Sequence, residues 1–201
     1  ASSWTMANSP DSAFYLLDIV SKNDKLTQTD LKNIESAKEL AALQSDKRWK
    51  PLLAAVQKKA EGNTYPQEEM VYGRKDGMGL LMTQLKPKVK SNGKAIISVQ
   101  AGSWFSNFNM IERSTYYKKQ YLDKGYNVFM VVMGSQPRYA IPDQVEDLKR
   151  AVRYIRYNAK KLGIDPDHIG IEGASAGGHL SLAIATADES INKDTNDPVD
   201  R

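Results

Sequence analysis

The segment IEGASAGGHL, residues 171–180, holds a serine whose neighbours would allow it to act as a nucleophile. Gly173 and Gly177 each stand two positions from Ser175, which matches the pattern G-x-S-x-G. A serine held in a strained turn at the end of a strand needs neighbours without side chains, because the following helix passes close to the strand. The alternative is a glycine-rich connection between a strand and a helix, with no chemical role.

A nucleophilic serine needs a base, and the chain contains only two histidines. His179 follows Ser175 by four residues, and helical side chains point towards the N-terminus of their helix, so this histidine is expected close to the serine. His168 precedes the serine by seven residues. Along an extended strand this separation is about 23 Å. Because a hydrogen bond spans only about 3 Å, His168 is excluded as the base.

Other catalytic groups lack support in the sequence. Position 178 is a glycine, so the lysine of an S-x-x-K pair is missing, and the chain contains no cysteine for a thiolate or a cysteine-ligated zinc ion. The polar tail from Asp188 to Asp200 lacks the glycine and the terminal glutamate of a calcium-binding loop, which favours a solvated loop. We therefore expect no metal and no cofactor.

Strands and helices alternate through the C-terminal two thirds of the chain. The pair Asp76-Gly77 between two strand-like runs predicts a β-hairpin. The continuous apolar runs at 95–100 and 126–133 are typical of strands buried on both faces of a parallel sheet. The segment between them, 114–125, is predicted as one helix.

The clearest helix is predicted over 142–162, where apolar residues recur at intervals of three and four and form one stripe that can pack against a sheet. The stripe consists of Val145, Leu148, Val152, Ile155, Ala159 and Leu162. Pro142 suits the first turn, and Gly163 suits the end. A short strand at 168–173 and a helix at 176–187 follow. This alternation predicts a three-layer α/β fold, with a mostly parallel sheet and helices on both faces.

Residues 1–65 show helical patterns only. Ser9-Pro10 forms an N-cap followed by a proline at the first helical position, and Pro51 is expected to open a third helix. We interpret this region as a helical N-terminal cap or packing arm, and residues 66–201 as the N-terminal part of the α/β domain.

The stretch QPRYAIPDQVEDLKRAVRYIRYNAKKLGIDPDHIGIEGASAGGHLSLA, residues 136–183, resembles the central block of the α/β-hydrolase esterases. It resembles most the branch that holds hormone-sensitive-lipase-like enzymes and carbohydrate-active carboxylesterases. That branch has a proline-rich segment, a helix that ends in G-I-D-P-x-x-I, and then G-x-S-A-G-G-H-L, and all three are present here in order. The resemblance extends over roughly residues 69–201 and implies the α/β-hydrolase fold.

The resemblance implies that Ser175 is the nucleophile and that the amide of Ala176 is one oxyanion donor, at the start of a helix whose dipole favours anions. The second donor in this branch comes from an H-G-G-G-W stretch. Here Gln100 replaces the histidine and Ala101 replaces the first glycine. Gly102 is therefore the expected second donor, and Ala101 is the weaker candidate.

Two further expectations concern the shape of this loop and the role of the aromatic residues. Alanine resists positive φ, so we expect a loop shaped differently where Ala101 stands. Trp104, with Phe105, and Tyr139 are candidates to line the substrate site, although aromatic residues near such sites are as often part of the core. A loop that serves only to pack Trp104 is the alternative interpretation.

The family supplies its triad acid and histidine from loops after later strands, and its residue equivalent to His179 packs behind the serine. The chain is therefore expected to be the N-terminal portion of a serine carboxylesterase for short-chain or carbohydrate-linked esters of acetyl or feruloyl type. Its fifth strand is internal in this fold, and an end at Arg201 would leave that strand as an open edge. Two alternatives are a non-catalytic binding or assembly protein of the same fold and a chain nicked or disordered in the loop 188–201.

Composition narrows the classes of partner. The chain has 201 residues, 41% of them hydrophobic and 26% charged, and a net charge of +4. Its basic residues are spread along the chain, which argues against a nucleic-acid partner, and no apolar run is long enough to span a membrane. We expect a small-molecule or oligosaccharide ester and the remaining C-terminal segment of the protein as partners. The small, polar opening at residues 1–9 favours a secreted or periplasmic location over a cytoplasmic one.

Overall fold

A computed structural model of the chain describes residues 9–187 and 195–200, and its contacts divide the chain into two units, Ala1–Thr64 and Tyr65–Arg201. Residues 1–8 and 188–194 lie outside the described residues. The prediction of a secreted or periplasmic location depends on the first of these ranges, and the prediction of a solvated polar tail depends partly on the second.

The first unit consists of short helices whose ends are set by local hydrogen bonds. They are α1 (Pro10–Ser21), α2 (Gln28–Ser36), a 3₁₀ helix (Lys38–Leu43) and α3 (Trp49–Asn63). The Ser9 side chain accepts a hydrogen bond from the Ser12 amide at the start of α1, as predicted for an N-cap. Thr27 and Asp30 form a reciprocal capping box at the start of α2. Helix α3 begins at Trp49, so Pro51 lies within its first turn and does not open it.

The second unit is built on a five-stranded mixed sheet. Its strands are β1 (Gln67–Lys75), β2 (Met78–Leu85), β3 (Ala95–Val99), β4 (Asn127–Val131) and β5 (Ile169–Gly173), in the spatial order β1-β2-β4-β3-β5. Strands β4, β3 and β5 are parallel, whereas β2 pairs antiparallel with both β1 and β4. The predicted hairpin is confirmed, because β1 and β2 are joined by Asp76 and Gly77, whose φ angles of 48° and 79° suit a two-residue turn.

Helices cover both faces of this sheet, as the sequence predicts. They are α4 (Asn109–Thr115), a 3₁₀ turn (Tyr116–Lys118), α5 (Lys119–Leu122), α6 (Ile141–Tyr157), α7 (Ala159–Leu162) and α8 (Ala176–Thr186). Phe129 and Val131 of β4 belong to the core that includes the apolar residues of α6 and α8. Val128 and Met130 alternate with them and pack in a second core with α4 and α5. The arrangement therefore has three layers.

The segment predicted as one helix over 114–125 is divided in the structure. Helix α4 begins earlier, at Asn109, and gives way to the 3₁₀ turn after Thr115. The Thr115 hydroxyl donates to the Ile111 carbonyl at 2.9 Å, and side-chain bonds of this kind weaken and bend helices. The helix predicted over 142–162 is likewise divided at Asn158 into α6 and α7, but its predicted end at Gly163 is confirmed, because this residue adopts a left-handed conformation with φ of 71°.

The described part of the polar tail docks onto α6 through ion pairs. The Arg150 guanidinium binds the carboxylates of Asp197, at 2.7 Å, and Asp200, and Arg153 binds Asp200 at 2.8 Å. The Val199 amide donates to Asp197 at 2.9 Å. This backbone bond, and then Arg150, lower the pKa of the Asp197 carboxyl from its ordinary value of 3.8.

This lowered pKa predicts an acid-dependent loosening of the tail. Because the folded-state pKa of Asp197 is depressed, its stabilising contribution is complete above pH 3.8 and is lost as the pH falls through the folded value. A carbon-13 NMR titration of the Asp197 carboxyl should have a midpoint below 3.8. Arg150→Gln should move that midpoint upwards but leave Asp165, whose pKa is lowered by the Asp167 amide and His168, unchanged. A wild-type midpoint at or above the ordinary value would contradict this expectation.

Among residues 9–187 and 195–200, no helix combines the length and the hydropathy that crossing a membrane requires.

Candidate functional site

Ser175 occupies the turn between β5 and α8, as the sequence predicts. Its φ of 52° and ψ of −122° are unusual for a residue with a side chain. Conformations of this kind cost about 1–3 kcal/mol and persist only where the surrounding structure enforces them. The residue is exposed to solvent. A hydroxyl group is thus presented at the carboxyl end of a parallel strand.

The two glycines of the motif are required by close backbone contacts. A Cβ atom on Gly173 would lie 2.4 Å from the carbonyl carbon and oxygen of Gly177. A Cβ atom on Gly177 would lie 2.7 Å from the carbonyl oxygen of Val99, at the end of β3. The steric explanation of the spacing is therefore confirmed, because α8 crosses the ends of β5 and β3 too closely for side chains.

The amide of Ala176 lies at the N-terminus of α8. As the first residue of the helix it has no intrahelical acceptor, and the helix dipole concentrates partial positive charge there. Two of the next three amides are used locally, since Gly177 donates to the Ala174 carbonyl at 2.9 Å and His179 donates to the Ser175 carbonyl at 3.0 Å. This arrangement leaves the Ala176 amide beside Ser175 as a candidate donor to an anion.

The loop after β3 is a tight turn that the sequence did not predict. Gly102 and Phe105 exchange two backbone hydrogen bonds of 2.9 Å each. The positive φ angles lie at Ser103, 49°, and Trp104, 57°, and not at Ala101. Ala101 itself does not adopt a positive φ, as expected of alanine, and the strained backbone lies inside the turn that the Gly102–Phe105 bonds close.

This turn changes which amide is available as a second donor. The Gly102 amide donates to the Phe105 carbonyl, so in this conformation it is engaged within the loop. The hydrogen bonds of residues 9–187 and 195–200 include none from the Ala101 amide. Ala101 also lies near the Ser175 turn, since its carbonyl oxygen is 3.7 Å from a Cβ built on Gly177. The geometry favours Ala101, the candidate that the sequence placed second.

Trp104 is brought to the same end of the sheet as Ser175. Its indole Nε1 donates to His179 Nδ1 at 3.4 Å, and the two rings meet edge to face with centroids 5.9 Å apart. His179 lies one turn along α8 from the serine and is exposed, so it packs against Trp104 at the surface and is not buried. Because an indole N–H can only donate, Nδ1 of His179 must be the unprotonated nitrogen.

The other two residues examined in the sequence lie elsewhere. The Tyr139 hydroxyl donates to Asp76 at 3.0 Å, and the Lys75 ammonium lies 4.6 Å from the centre of its ring, which places this buried tyrosine at the β1–β2 turn. Within the described residues, no hydrogen bond or ring contact joins Tyr139 to Ser175. His168 precedes β5, at its opposite end from the serine, and pairs with Asp165 at 2.7 Å. Its predicted exclusion as a base agrees with this position.

The sequence did not predict the roles of three polar side chains near the loop, of which Gln144 and Ser106 are buried and Ser135 is partly exposed. The Gln144 Nε2 donates to the Trp104 carbonyl at 2.7 Å. The Ser106 hydroxyl donates to the Gln100 carbonyl at 2.6 Å, and the Ser106 amide donates to Ser135 Oγ at 2.7 Å. Only Gln144 could have been identified from the sequence. It lies in the helical register of the apolar stripe, which places a polar residue on the buried face of the helix.

An ion pair lies behind the serine turn. Lys118 Nζ is 2.5 Å from Glu172 Oε1, and both side chains are largely shielded from solvent. Glu172 belongs to β5 and precedes Ser175 by three residues. The pair therefore ties the 3₁₀ turn after α4 to the strand that carries the serine.

Lys118→Met is expected to lower the free energy of unfolding by about 2–3 kcal/mol, because it leaves the Glu172 carboxylate partly buried without a cation. The matched control is Lys86→Met, which breaks an exposed pair with Glu68 and should cost less than about 1 kcal/mol. Urea unfolding of both variants provides the measurement. Equal losses in the two variants would show that the shielded ion pair of Lys118 contributes no more to the free energy of unfolding than an exposed one.

No group of histidine, cysteine, aspartate and glutamate side chains within the described ranges is arranged to hold a metal ion.

Comparison with known proteins finds esterases. Esterase LipQ of Mycobacterium tuberculosis is 29% identical over 119 residues, which are 58% of this chain and 28% of LipQ. An acetylxylan esterase of Xylanibacter ruminicola is 35% identical over 95 residues, which are 47% of this chain and 19% of that protein. A structure of Thermogutta terrifontis esterase 2, phosphoramylated by tabun, matches with a TM-score of 0.51 and 28% identity, covering 58% of this chain and 46% of that one.

These similarities agree with the fold described above. The chain spans less than half the length of each of these three relatives. The mixed sheet with helices on both faces is that of the α/β-hydrolase fold. The match to a solved esterase agrees with this assignment. The family model BD-FAE matches residues 81–200, more than half of the chain. This match, together with the serine turn and the sheet around it, shows that the chain is a member of the BD-FAE family.

Proposed function

We propose that this chain carries the nucleophile and the oxyanion-binding amides of a serine carboxylesterase. The observation that supports it most is the Ser175 turn, where an exposed serine is held at φ of 52° between β5 and α8. The backbone contacts of Gly173 and Gly177 enforce this turn. Strain of this kind is expected where a nucleophile must be presented clear of its own sheet. We identify the turn as a nucleophile elbow.

In the proposed reaction, Ser175 Oγ attacks the carbonyl carbon of an ester and transfers its proton to a general base. The carbonyl oxygen becomes an oxyanion, and collapse of this tetrahedral intermediate expels the alcohol, which takes the proton from the base. The resulting acyl-serine is then attacked by a water molecule, which releases the acid and restores Ser175. Two steps of lower barrier thus replace one direct hydrolysis.

The oxyanion is proposed to receive the Ala176 amide and one amide of the loop after β3. Ala101 is the first choice there, whereas Gly102 could serve only after its bond to Phe105 opens. Removing a donor of this kind typically costs about 3–4 kcal/mol of transition-state stabilisation. Both amides belong to the backbone, so the absence of a histidine at Gln100 does not remove them.

The general base is proposed to come from a part of the protein outside this sequence. His168 pairs with Asp165 at the far end of β5, and Nδ1 of His179 is occupied by Trp104. The greater length of the relatives leaves room for a histidine and a carboxylate beyond these residues. Because neither of these two histidines is placed to act as the base, a second candidate function is that of a binding protein of this fold that does not turn over substrate.

The proposed substrates are short-chain or carbohydrate-linked carboxyl esters. Support comes from the relative named acetylxylan esterase and from Trp104, which contacts His179 one turn after Ser175, with the exposed Phe105 next to it in the loop. Of the three aromatic residues expected near the site, we retain Trp104 and Phe105, because the Tyr139 hydroxyl is held by Asp76. A secreted or periplasmic location suits such substrates and stays part of the proposal.

Covalent labelling tests the proposal without a choice of substrate. The full-length protein is treated with a fluorophosphonate, and its peptides are mapped by mass spectrometry. One phosphonyl group per chain on Ser175 is expected, together with hydrolysis of 4-nitrophenyl acetate that stops when labelling is complete. Labelling at another residue would contradict Ser175 as the nucleophile, whereas no labelling of folded protein would contradict an esterase and favour the binding protein.

A further inference from the structure

Trp104 is held by side chains from two different helices. Its carbonyl oxygen accepts from Gln144 Nε2 of α6 at 2.7 Å and from the Gln136 amide at 3.2 Å. Its indole Nε1 donates to His179 Nδ1 of α8 at 3.4 Å. Both ends of this residue are thereby fixed while its backbone keeps a positive φ of 57°. These contacts link the loop after β3 to the helix that begins beside Ser175.

Stability alone does not explain why a glutamine occupies position 144. Its side chain is fully buried, and its Oε1 has no hydrogen-bond partner among the described residues. A buried, unpaired polar atom is destabilising, and an apolar side chain of the same shape is often tolerated at such a site. The Trp104 carbonyl would also keep the Gln136 amide as a donor. The bond from Gln144 Nε2 therefore serves to place Trp104.

His179 holds the other side of the same loop. It lies one turn after Ser175 on α8, where its own amide donates to the Ser175 carbonyl at 3.0 Å. The Trp104–His179 bond therefore joins the loop to the same turn of helix that presents the serine. Because the indole can only donate, the role of His179 in this contact is to supply a lone pair.

We propose that Gln144 and His179 are positioning residues, which act through Trp104 to set the distance between the loop amides and Ser175. The proposal rests on the esterase function proposed above. The loop residues 101–105 contain the candidate oxyanion donors, and small displacements of groups that stabilise a transition state reduce rates by up to about 10²-fold. Fixing Trp104 from two helices is a means of keeping those amides in place.

The first test replaces Gln144 with methionine, which keeps the length of the side chain and removes the donor. We expect kcat for 4-nitrophenyl acetate to fall about 10- to 100-fold, with KM nearly unchanged. The melting temperature should stay within about 3 °C of wild type. The matched control is Gln84→Met, because Gln84 is also fully buried with an unpaired Oε1 but donates to Asn127 and Leu162 at the other end of the sheet. That variant should lose stability and keep its kcat.

The second test uses the exposed histidine, whose replacement spares the core. His179→Leu removes the acceptor and should lower kcat about tenfold, whereas His179→Asn supplies an amide oxygen close to the position of Nδ1 and should restore most of it. His168→Asn is the control at the opposite end of β5 and should leave kcat unchanged. In nitrogen-15 spectra, the indole N–H resonance of Trp104, assigned with Trp104→Phe, should shift in His179→Leu and return towards its wild-type position in His179→Asn.

The outcomes separate this inference from the function on which it rests. If the wild-type protein neither hydrolyses esters nor labels at Ser175, the proposed function is wrong and the positioning role falls with it. If the wild type is active and both Gln144→Met and His179→Leu keep kcat within twofold, the inference alone is wrong. It is also wrong if the loss of kcat merely follows the loss of folded protein, or if His179→Asn behaves like His179→Leu.

Discussion

Ser175→Ala is expected to lower kcat/KM for short acyl esters by at least about 10⁴-fold in the full-length protein. The hydroxyl oxygen is the proposed nucleophile, and alanine offers no atom that could form the acyl intermediate. The fold should be unaffected, because alanine carries the same Cβ as serine and imposes no new strain at φ of 52°. The melting temperature of the variant should therefore match that of the wild type.

A control for this substitution lies on the same helix. Ser181 also belongs to α8, but its hydroxyl is buried and donates to the Gly177 carbonyl at 2.7 Å. Ser181→Ala should keep kcat/KM within about threefold and should remain reactive towards a fluorophosphonate, whereas Ser175→Ala should not react at all. If Ser175→Ala retains more than a tenth of the wild-type rate, Ser175 is not the nucleophile.

Gly173→Ala is expected to damage both the fold and the activity. The new Cβ would lie 2.4 Å from backbone atoms of Gly177, which no side-chain rotation can relieve. The start of α8 must move away from β5, which should lower the free energy of unfolding by about 3 kcal/mol. The same movement displaces Ser175 and the Ala176 amide, so kcat/KM should fall by more than about 10²-fold.

Gly79→Ala is the matched control for this second prediction. Gly79 lies in β2, and the nearest atom to an added Cβ is a Val71 methyl group at 3.6 Å, an ordinary contact. This variant should change stability by less than about 1 kcal/mol and leave kcat/KM unchanged. Urea unfolding and ester hydrolysis of the two variants provide the comparison. A loss below about 1 kcal/mol in Gly173→Ala would show that the turn accommodates a side chain there.

Local chemistry made several features of this protein predictable from its sequence. The need for glycine at position 173, the Asp76-Gly77 hairpin and the end at Gly163 each depend on backbone angles or contacts within a few residues. The apolar stripe of α6 predicted which face of the helix is buried for the same reason. The alternation of such elements is sufficient to predict a three-layer α/β fold, because few arrangements bury all of these faces.

Features that depend on distant partners were not predictable. The ion pair behind the serine turn joins Lys118 to Glu172, which is 54 residues away in the chain. The surroundings of Tyr139 also depend on a distant partner, because Asp76, 63 residues away in the chain, holds its hydroxyl at the hairpin turn. Neither partner is visible in the local pattern of the sequence.

The sequence by itself determined the serine, its glycines and the class of fold, because those follow from local sterics and from the burial of apolar faces. Only the tertiary structure decided how the neighbouring loop is shaped. The positive φ angles lie at Ser103 and Trp104, since Gly102 bonds with Phe105, and Trp104 is held by Gln144 and His179, which are 40 and 75 residues away. Hydrogen bonds across such separations form only after the sheet has brought the helices together.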